Sequence, residues 1–293
     1  MTLEALIFDV DGTLAETEEW HRHSFNAAFA DAGLDWHWDQ AIYGRLLEVT
    51  GGKERIGHFA AGRGEAIDAA TIARLHAAKT ARYVASIETG AVALRPGVSR
   101  LLQEARDAGL RLAIATTTTP ENVTALLRTT LGPDGVRLFE CIGAGDMVAA
   151  KKPAPDIYQF VLDRLQIEPG RCIAFEDTPN GLQAACGAGI ATVVTTSLYG
   201  GTTRFEGAVL VVDGLGDTDA PCHVLRGSPL DSAVLRVADL RSTLAGQLAG
   251  RDRDGTVQAV HGDDAEKRAD RQRRKGEAPA HPADDDRNEL DAD

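Results

Sequence analysis

Apolar residues follow two different patterns along the chain. Short runs rich in aliphatic and β-branched side chains recur at 3–10, 110–117, 171–177, 191–197 and 208–213, each short enough for a buried strand. Between them lie segments with helical spacing, Val98 to Ala108, Glu121 to Thr130, Pro155 to Leu165 and Pro179 to Ala188. Proline at or near the first turn suits a helix start, because its missing N–H would have had no partner there. Strands alternating with helices predict right-handed crossovers and a parallel sheet. The fold class expected is α/β, a doubly wound, Rossmann-like core.

The stretch between the first strand and Arg95-Pro96-Gly97 is patterned differently. Glu18 to Ala32, Asp39 to Glu48, Glu54 to Ala61 and Ala69 to Ser86 are rich in Ala, Leu and charges, with apolar positions near helical spacing and few strand signals. A helical block inserted directly after the first strand would sit above that strand's end as a cap. The domain organisation expected is therefore a discontinuous core of 1–15 and 93–244 with an α-helical cap of 16–92. From 245 to 293 the pattern dissolves into Asp, Arg, Gly, Ala and Pro, including Arg271-Gln272-Arg273-Arg274-Lys275 and Asp284-Asp285-Asp286. Scarce large apolar residues cannot offset the entropy of ordering, so a disordered charged tail is expected.

The first strand ends in chemistry. In Leu6-Ile7-Phe8-Asp9-Val10-Asp11-Gly12-Thr13 an apolar run stops at two carboxylates spaced i, i+2, which in extended chain point to the same side. Open α/β sheets bind ligands at the C-terminal ends of their strands. Two acids there suit phosphoryl transfer, one attacking phosphorus and the other moving protons, with a divalent cation balancing charge. Three further segments end in the same way. Ala113 to Thr116 runs into Thr117-Thr118-Thr119-Pro120-Glu121-Asn122, gathering hydroxyls and backbone N–H groups at a helix start. Lys151-Lys152-Pro153 places cations before another helix, and Cys172 to Asp177 is an apolar strand closing on paired acids. Hard oxygen ligands of that kind suit magnesium.

Charge and cysteine content narrow the partners. The formal net charge of −13 opposes binding to nucleic acid or to an anionic membrane. An acidic protein must then collect a phosphate with local cations, for which Lys53, Arg55, Lys79, Arg82 and Lys152 are candidates. The four cysteines are scattered without a C-x-x-C pair, which argues against a zinc site and fits a reducing compartment. With no apolar run of membrane-spanning length, a cytoplasmic location is expected. Oligomeric state is left open, a monomer being compatible with everything here.

Taken together, Asp9-Val10-Asp11-Gly12-Thr13, Thr116, Lys152 and Glu176-Asp177 resemble the four ordered motifs of the haloacid dehalogenase superfamily over roughly residues 1–200. The resemblance implies that Asp9 becomes an aspartyl phosphate, that Asp11 is general acid and then base, and that Thr116 and Lys152 hold phosphoryl oxygens. It implies Mg2+ bound by Asp9, the main-chain carbonyl of Asp11, Glu176 and Asp177. The helical insert resembles the capped subgroup that includes β-phosphoglucomutase and the CbbY-type phosphatases, which act on xylulose 1,5-bisphosphate. Glu16-Thr17-Glu18-Glu19-Trp20-His21 matches the segment leading into the cap in both, and Lys79 falls on a cap lysine of the mutase. Thr50-Gly51-Gly52-Lys53-Glu54-Arg55-Ile56 is more similar to the phosphatase. The substrate contacts this implies are Glu16, His21, Thr50, Gly51, Gly52, Lys53 and Glu54, with His76, Lys79 and Arg82 from the last cap helix. On the core they are Thr116, Thr117, Thr118 and Asn122.

The activity expected is hydrolysis of xylulose 1,5-bisphosphate to xylulose 5-phosphate, clearing an inhibitor made by side reactions of Rubisco in the Calvin cycle. The rivals are a β-phosphoglucomutase-like phosphomutase, which returns the phosphoryl group to sugar, and a non-catalytic regulatory protein on the same fold. Removing everything after about Gly250 is expected to leave the thermal midpoint and catalytic efficiency nearly unchanged, since that stretch offers little apolar surface to bury. A large loss of either would show that the tail docks on the body.

Overall fold

The computed structural model describes residues 2–200 and 204–247, so the expected tail from 248 onward lies outside the described residues. Its centre is a seven-stranded sheet of order β3-β2-β1-β4-β5-β6-β7. The strands are β1 (Ala5–Phe8), β2 (Arg111–Ala115), β3 (Cys141–Gly143), β4 (Cys172–Glu176), β5 (Ala191–Thr195), β6 (Leu210–Val212) and β7 (Val224–Arg226). All neighbours are parallel except β6 and β7. The chain winds from β1 to β3 on one side and from β4 outward on the other, so β1 and β4 flank the point where the winding reverses. Every residue of β1, β4 and β5 is buried, as strands covered on both faces require.

The core helices are α5 (Val98–Asp107), α6 (Pro120–Leu131), α7 (Asp156–Leu165) and α8 (Pro179–Gly187). On one face of the sheet Ala5, Ile7, Ala113, Ala115, Cys172 and Ala174 meet Tyr158, Val161 and Leu162 of α7 and Ala184 and Ala185 of α8. Small strand residues let α7 lie close, which brings Tyr158 toward the strand ends. Helices α6 and α8 begin on prolines behind threonine caps, Thr119 accepting from Asn122 N and Thr178 from Gly181 N. Both helix starts, and their free N–H groups, therefore face the C-terminal edge of the sheet.

The cap contains α1 (Glu18–Asp31), α2 (Gln40–Leu46), α3 (Gly52–Gly62) and α4 (Ala69–Glu88). Helix α1 packs along α4, and an aromatic cluster of Phe25, Phe29, Trp36, Trp38 and Tyr43 fills the space beneath α2 and α3. Phe29 meets both tryptophans edge-on, at centroid distances of 5.3 and 4.9 Å. Asp39 and Asp68 cap α2 and α4 by accepting from Ile42 N and Thr71 N, each at 2.7 Å. The rear of the cap rests on the core where α4 contacts α6.

The expected strands and helices are all present, with ends moved by a few residues. No end moves by more than two residues; α3 starts at Gly52 rather than Glu54 because Gly51 takes a φ of 102° and turns the chain into the helix early. Strands β3 and β7 have no counterpart in the sequence reading. Each is three residues long, too short to show a period. The stretch 217–235, to which no role was assigned from sequence, is anchored to α5 at its two ends. Arg100 donates to the carbonyls of Leu215, Gly216 and Leu235, and Glu104 accepts from Val237 N. A helix at 237–247 then buries Leu240 and Leu244.

Gly97, just before α5, has φ +82°, and a Cβ there would run into the Gly216 carbonyl. Gly97→Ala is therefore expected to cost about 1 to 3 kcal/mol of stability. The check is a lower urea midpoint with an unchanged m-value.

Candidate active site

Strands β1 and β4 deliver Asp9, Glu176 and Asp177 to the same point, 7%, 1% and 3% exposed respectively. Lys152, from the loop before α7, reaches in with all three of its donors used. Its Nζ lies 2.6 Å from Asp9 Oδ1, 2.6 Å from Glu176 Oε1 and 2.9 Å from the Ala115 carbonyl. Tyr158 Oη donates to the same Glu176 oxygen at 2.5 Å. Burial works to lower the Lys152 ammonium, but the Asp9 and Glu176 carboxylates outweigh it and hold the group above its ordinary value.

One ammonium does not balance three carboxylates. Burial pushes the Asp9 carboxyl up to about 7 despite Lys152, and burial followed by the nearby Asp9 holds Asp177 well above the usual carboxylate range. Oxygens of Asp9, Glu176 and Asp177 lie within 4.8 Å of one another. Glu176 Oε2 is buried without a hydrogen-bond partner, tight against Gly181, where any Cβ would overlap it. Surplus negative charge, an orphaned oxygen and an all-oxygen donor set fit a small, hard divalent cation.

Asp11 stands apart from this cluster. Its Oδ1 accepts from Thr17 Oγ1 at 2.5 Å and faces His21 Nε2 at 2.9 Å, so cap residues hold it. His21 Nδ1 in turn lies 2.5 Å from Lys79 Nζ, and the ring stacks on Tyr83 at 4.0 Å. With the hydrogen assigned to Nε2, His21 donates to Asp11 while accepting from Lys79, which satisfies every group in the row. Burial, and then the Lys79 charge, lowers the His21 imidazole, which favours this neutral form. Burial pushes Lys79 down to about 7, with Asp11 opposing. On Asp11, burial acts to raise the carboxyl, but the His21 and Thr17 contacts and Lys79 prevail and hold it below its ordinary value.

Cap and core enclose a cavity of about 420 Å³ over these groups. Thr116, Thr117, Thr118 and Asn122 line its core wall, with Asn122 Nδ2 donating to Thr118 Oγ1 at 2.9 Å. Thr50, Gly51, Gly52, Lys53 and His76 line the cap wall. Four charges join the two walls: Lys53 to Asp146 at 2.8 Å, and Lys151 to Asp146 and Glu54 at 3.0 Å each. Asn180 of α8 adds bonds to Thr50 Oγ1 and the Glu48 carbonyl, both at 3.0 Å. His76 packs on Gly52, and burial followed by Lys79, Lys53 and Lys151 pushes its pKa down to about 4.

Several sequence expectations need correction. Arg82 does not reach the cavity: it lies on the outward side of α4, paired with Asp31. Glu16 is at the hinge, 3.4 Å from Arg95, and Glu54 is taken up by Lys151, so neither lines the cavity. Lys79 and His21 do line the cavity, on the side of Asp11, where α4 places Lys79 one turn from Tyr83 and against His21. The side chain of Asp11 is outside the metal cluster, which needs no correction, since only its main-chain carbonyl was expected there. Thr17, Lys151, Tyr158, Asp146 and Asn180 were not singled out from sequence. Lys151 could have been, as the neighbour of Lys152, whereas Tyr158 and Asn180 depend on how α7 and α8 pack and leave no local signal.

Residues 3–189 match the haloacid dehalogenase-like hydrolase family. The chain belongs to that family and is a phosphatase. It is 52% identical over 225 residues to the protein CbbY of Cupriavidus necator, a match covering 75% of this chain and 88% of that one. A crystal structure of a CbbY mutant from Rhodobacter sphaeroides in complex with xylulose-1,5-bisphosphate superposes with a TM-score of 0.70 at 49% identity, covering 73% of this chain and 95% of the other. A β-phosphoglucomutase from Clostridium difficile shares the fold, with a TM-score of 0.67 at 18% identity over 85% of this chain and all of its own. No helix among the described residues is long and apolar enough to cross a membrane.

The surplus charge has a measurable cost. Because the folded state holds Asp177 above its ordinary value of 3.8, folding is penalised increasingly as pH rises past about 4. In chelator at pH 8, Asp177→Asn is expected to melt above the parent protein, with the gap closing toward pH 4. Each kcal/mol corresponds to roughly 2 to 4 °C for a chain of this size. Adding a divalent cation should raise the parent's midpoint and leave that of the variant where it was.

Proposed function

We propose that the protein hydrolyses one phosphoryl group of a sugar bisphosphate, xylulose 1,5-bisphosphate, with Mg2+ as its metal. The observation that carries this reading is a cavity with a cationic group at each end. Lys152 stands among the acids at the core end, and Lys53 and Lys151 stand under the Gly51-Gly52 turn at the other. The crystal structure of the relative with xylulose-1,5-bisphosphate supports the same substrate class.

In this reading Thr116 Oγ1 binds one oxygen of the transferring group, with backbone N–H groups of the threonine turn beside it, and Lys152 Nζ turns one of its three donors from Asp9 to another. A carboxylate oxygen of Asp9 attacks phosphorus while the bond to the sugar oxygen breaks, and Asp11, held low by its cap partners until the anionic phosphoryl group beside it favours the protonated form, gives a proton to that leaving oxygen. Asp11, now a carboxylate, takes a proton from water as the water oxygen attacks the aspartyl phosphate. The bond to Asp9 breaks and inorganic phosphate leaves. His21 and Lys79 fix the orientation of Asp11 through both steps. Mg2+ held by Asp9, Glu176 and Asp177 would supply charge neutralisation for the negative oxygens of the transition state. At the far end the second phosphate replaces Asp146 as the anion between Lys53 and Lys151, using remote binding to keep the cap shut over the reaction.

Phosphate release and isomer formation, followed over a panel of sugar mono- and bisphosphates, test the proposal. The ketopentose bisphosphate should be much the better substrate, with free phosphate as product, and Asp9→Asn should abolish turnover. Lys53→Ala should lose roughly tenfold in efficiency on the bisphosphate, the value of about 1.5 kcal/mol for a charge-assisted contact, and far less on a monophosphate. Equal efficiency on both classes would remove the bisphosphate, and isomer without phosphate would make the enzyme a mutase.

A further inference from the structure

The cap is entered at residues 13–17 and left at 93–97, and the two crossings are stitched together. Ala15 and Leu94 form an antiparallel bridge, and Arg95 N donates to the Leu14 carbonyl at 2.9 Å. The Arg95 side chain, 10% exposed, then turns under the active site. Its Nη1 donates to the Gly12 carbonyl and, at 3.2 Å, to Thr195 Oγ1. Its Nη2 donates to the Thr196 carbonyl at 2.6 Å and the Asp213 carbonyl at 3.2 Å, and its Nε faces Glu16 at 3.4 Å. A single guanidinium therefore holds the turn after β1, the ends of β5 and β6, and the first crossing into the cap.

The bond to Gly12 bears on catalysis. The turn that carries Asp11 closes on itself, with Gly12 N donating to Ala15 O at 2.8 Å and the N–H groups of Thr13, Leu14 and Ala15 gathered on Val10 O. The Gly12 carbonyl is left pointing out of that turn, toward Arg95. On its other side Gly12 is pressed against Asp177 Oδ2, where no Cβ would fit. Gly12, the residue next to Asp11, is thus held between a metal-cluster acid and a fixed planar donor, and a planar fork holds direction where a point charge would not.

We propose that Arg95 is a positioning residue for proton transfer: it fixes the Asp11 turn relative to the sheet and links it, through Glu16, to the hinge of the cap. The inference rests on the reading of Asp11 as proton donor. It separates from a merely structural role by leaving group, because an alkoxide must be protonated as it departs and an activated phenolate need not be.

The experiment compares kcat/KM for a sugar phosphate with that for p-nitrophenyl phosphate in the parent protein, Asp11→Asn, Arg95→Ala and Arg95→Lys. Misplacing Asp11 should cost Arg95→Ala roughly 10- to 100-fold on the sugar phosphate and less than about threefold on the aryl phosphate. Arg95→Lys keeps the charge and most of the buried stem but cannot span the same acceptors, so its loss should show the same bias at smaller size. It carries the comparison alone if Arg95→Ala does not fold. Bias in Asp11→Asn with equal losses, or none, in the Arg95 variants would overturn the positioning role. Absence of bias in Asp11→Asn would overturn the proton-donor reading itself, and the inference with it.

Discussion

The ammonium of Lys152 is the interaction on which the site depends. Without it, Asp9 and Glu176 would be two unshielded carboxylates in a region of low dielectric, and one would have to take up a proton or move toward water. With it, they are held on one cation that is also bonded to the end of β2 through the Ala115 carbonyl. That last bond ties an electrostatic arrangement to the register of the sheet, since β2 and β1 pair so that Ile7 lies beside Ala113. A shift of either strand would move the lysine off one of its acids. The compensation is also incomplete: among the described residues no cation pairs with Asp177, and the same deficit that weakens the fold makes the cluster fit for a metal.

The two carboxylates of the first motif have neighbours of different origin. Asp9 is surrounded by the core, by Lys152 and the β4 acids. Asp11 is surrounded by the cap, by Thr17, His21 and Lys79. A nucleophile needs a fixed position relative to the metal cluster, whereas a group that must both give and take a proton needs surroundings that exist only when the substrate is covered. Under the proposed mechanism, partners supplied by the cap would tie proton transfer to coverage of the substrate and limit exposure of the aspartyl phosphate to stray water.

The sheet, the cap and the acids were legible in the sequence because each is written locally. Strand ends appear as apolar runs that stop at Asp or Glu, as at Phe8-Asp9 and Phe175-Glu176, and the cap appears as a change of period. What stayed hidden depends on long-range packing. That Lys79 would reach His21 follows from α1 lying along α4, which no spacing encodes. Arg82, three residues further along α4, looked like an equally good cation, but it stands about 60° round the helix from Lys79 and pairs with Asp31 instead. The clamp by Arg95 was hidden for a similar reason, since three of its five partners are main-chain carbonyls that any sequence would have supplied.

The segment after β6 also changes how the protein meets others of its kind. Leu210-Val211-Val212 of β6 is a fully buried apolar strand, and if the sheet stopped there its open N–H and C=O groups would be a template for another chain. The return through 217–235 lays β7 along it in the antiparallel sense, with a break in register at Val211 and Val212, and makes the three residues of β7 the outermost strand. Its Arg226 guanidinium is bonded back to the carbonyls of Phe205 and Ala208. An edge so short and irregular offers few places for intermolecular pairing, so the extension acts as a guard against aggregation at the flank of the sheet farthest from β3.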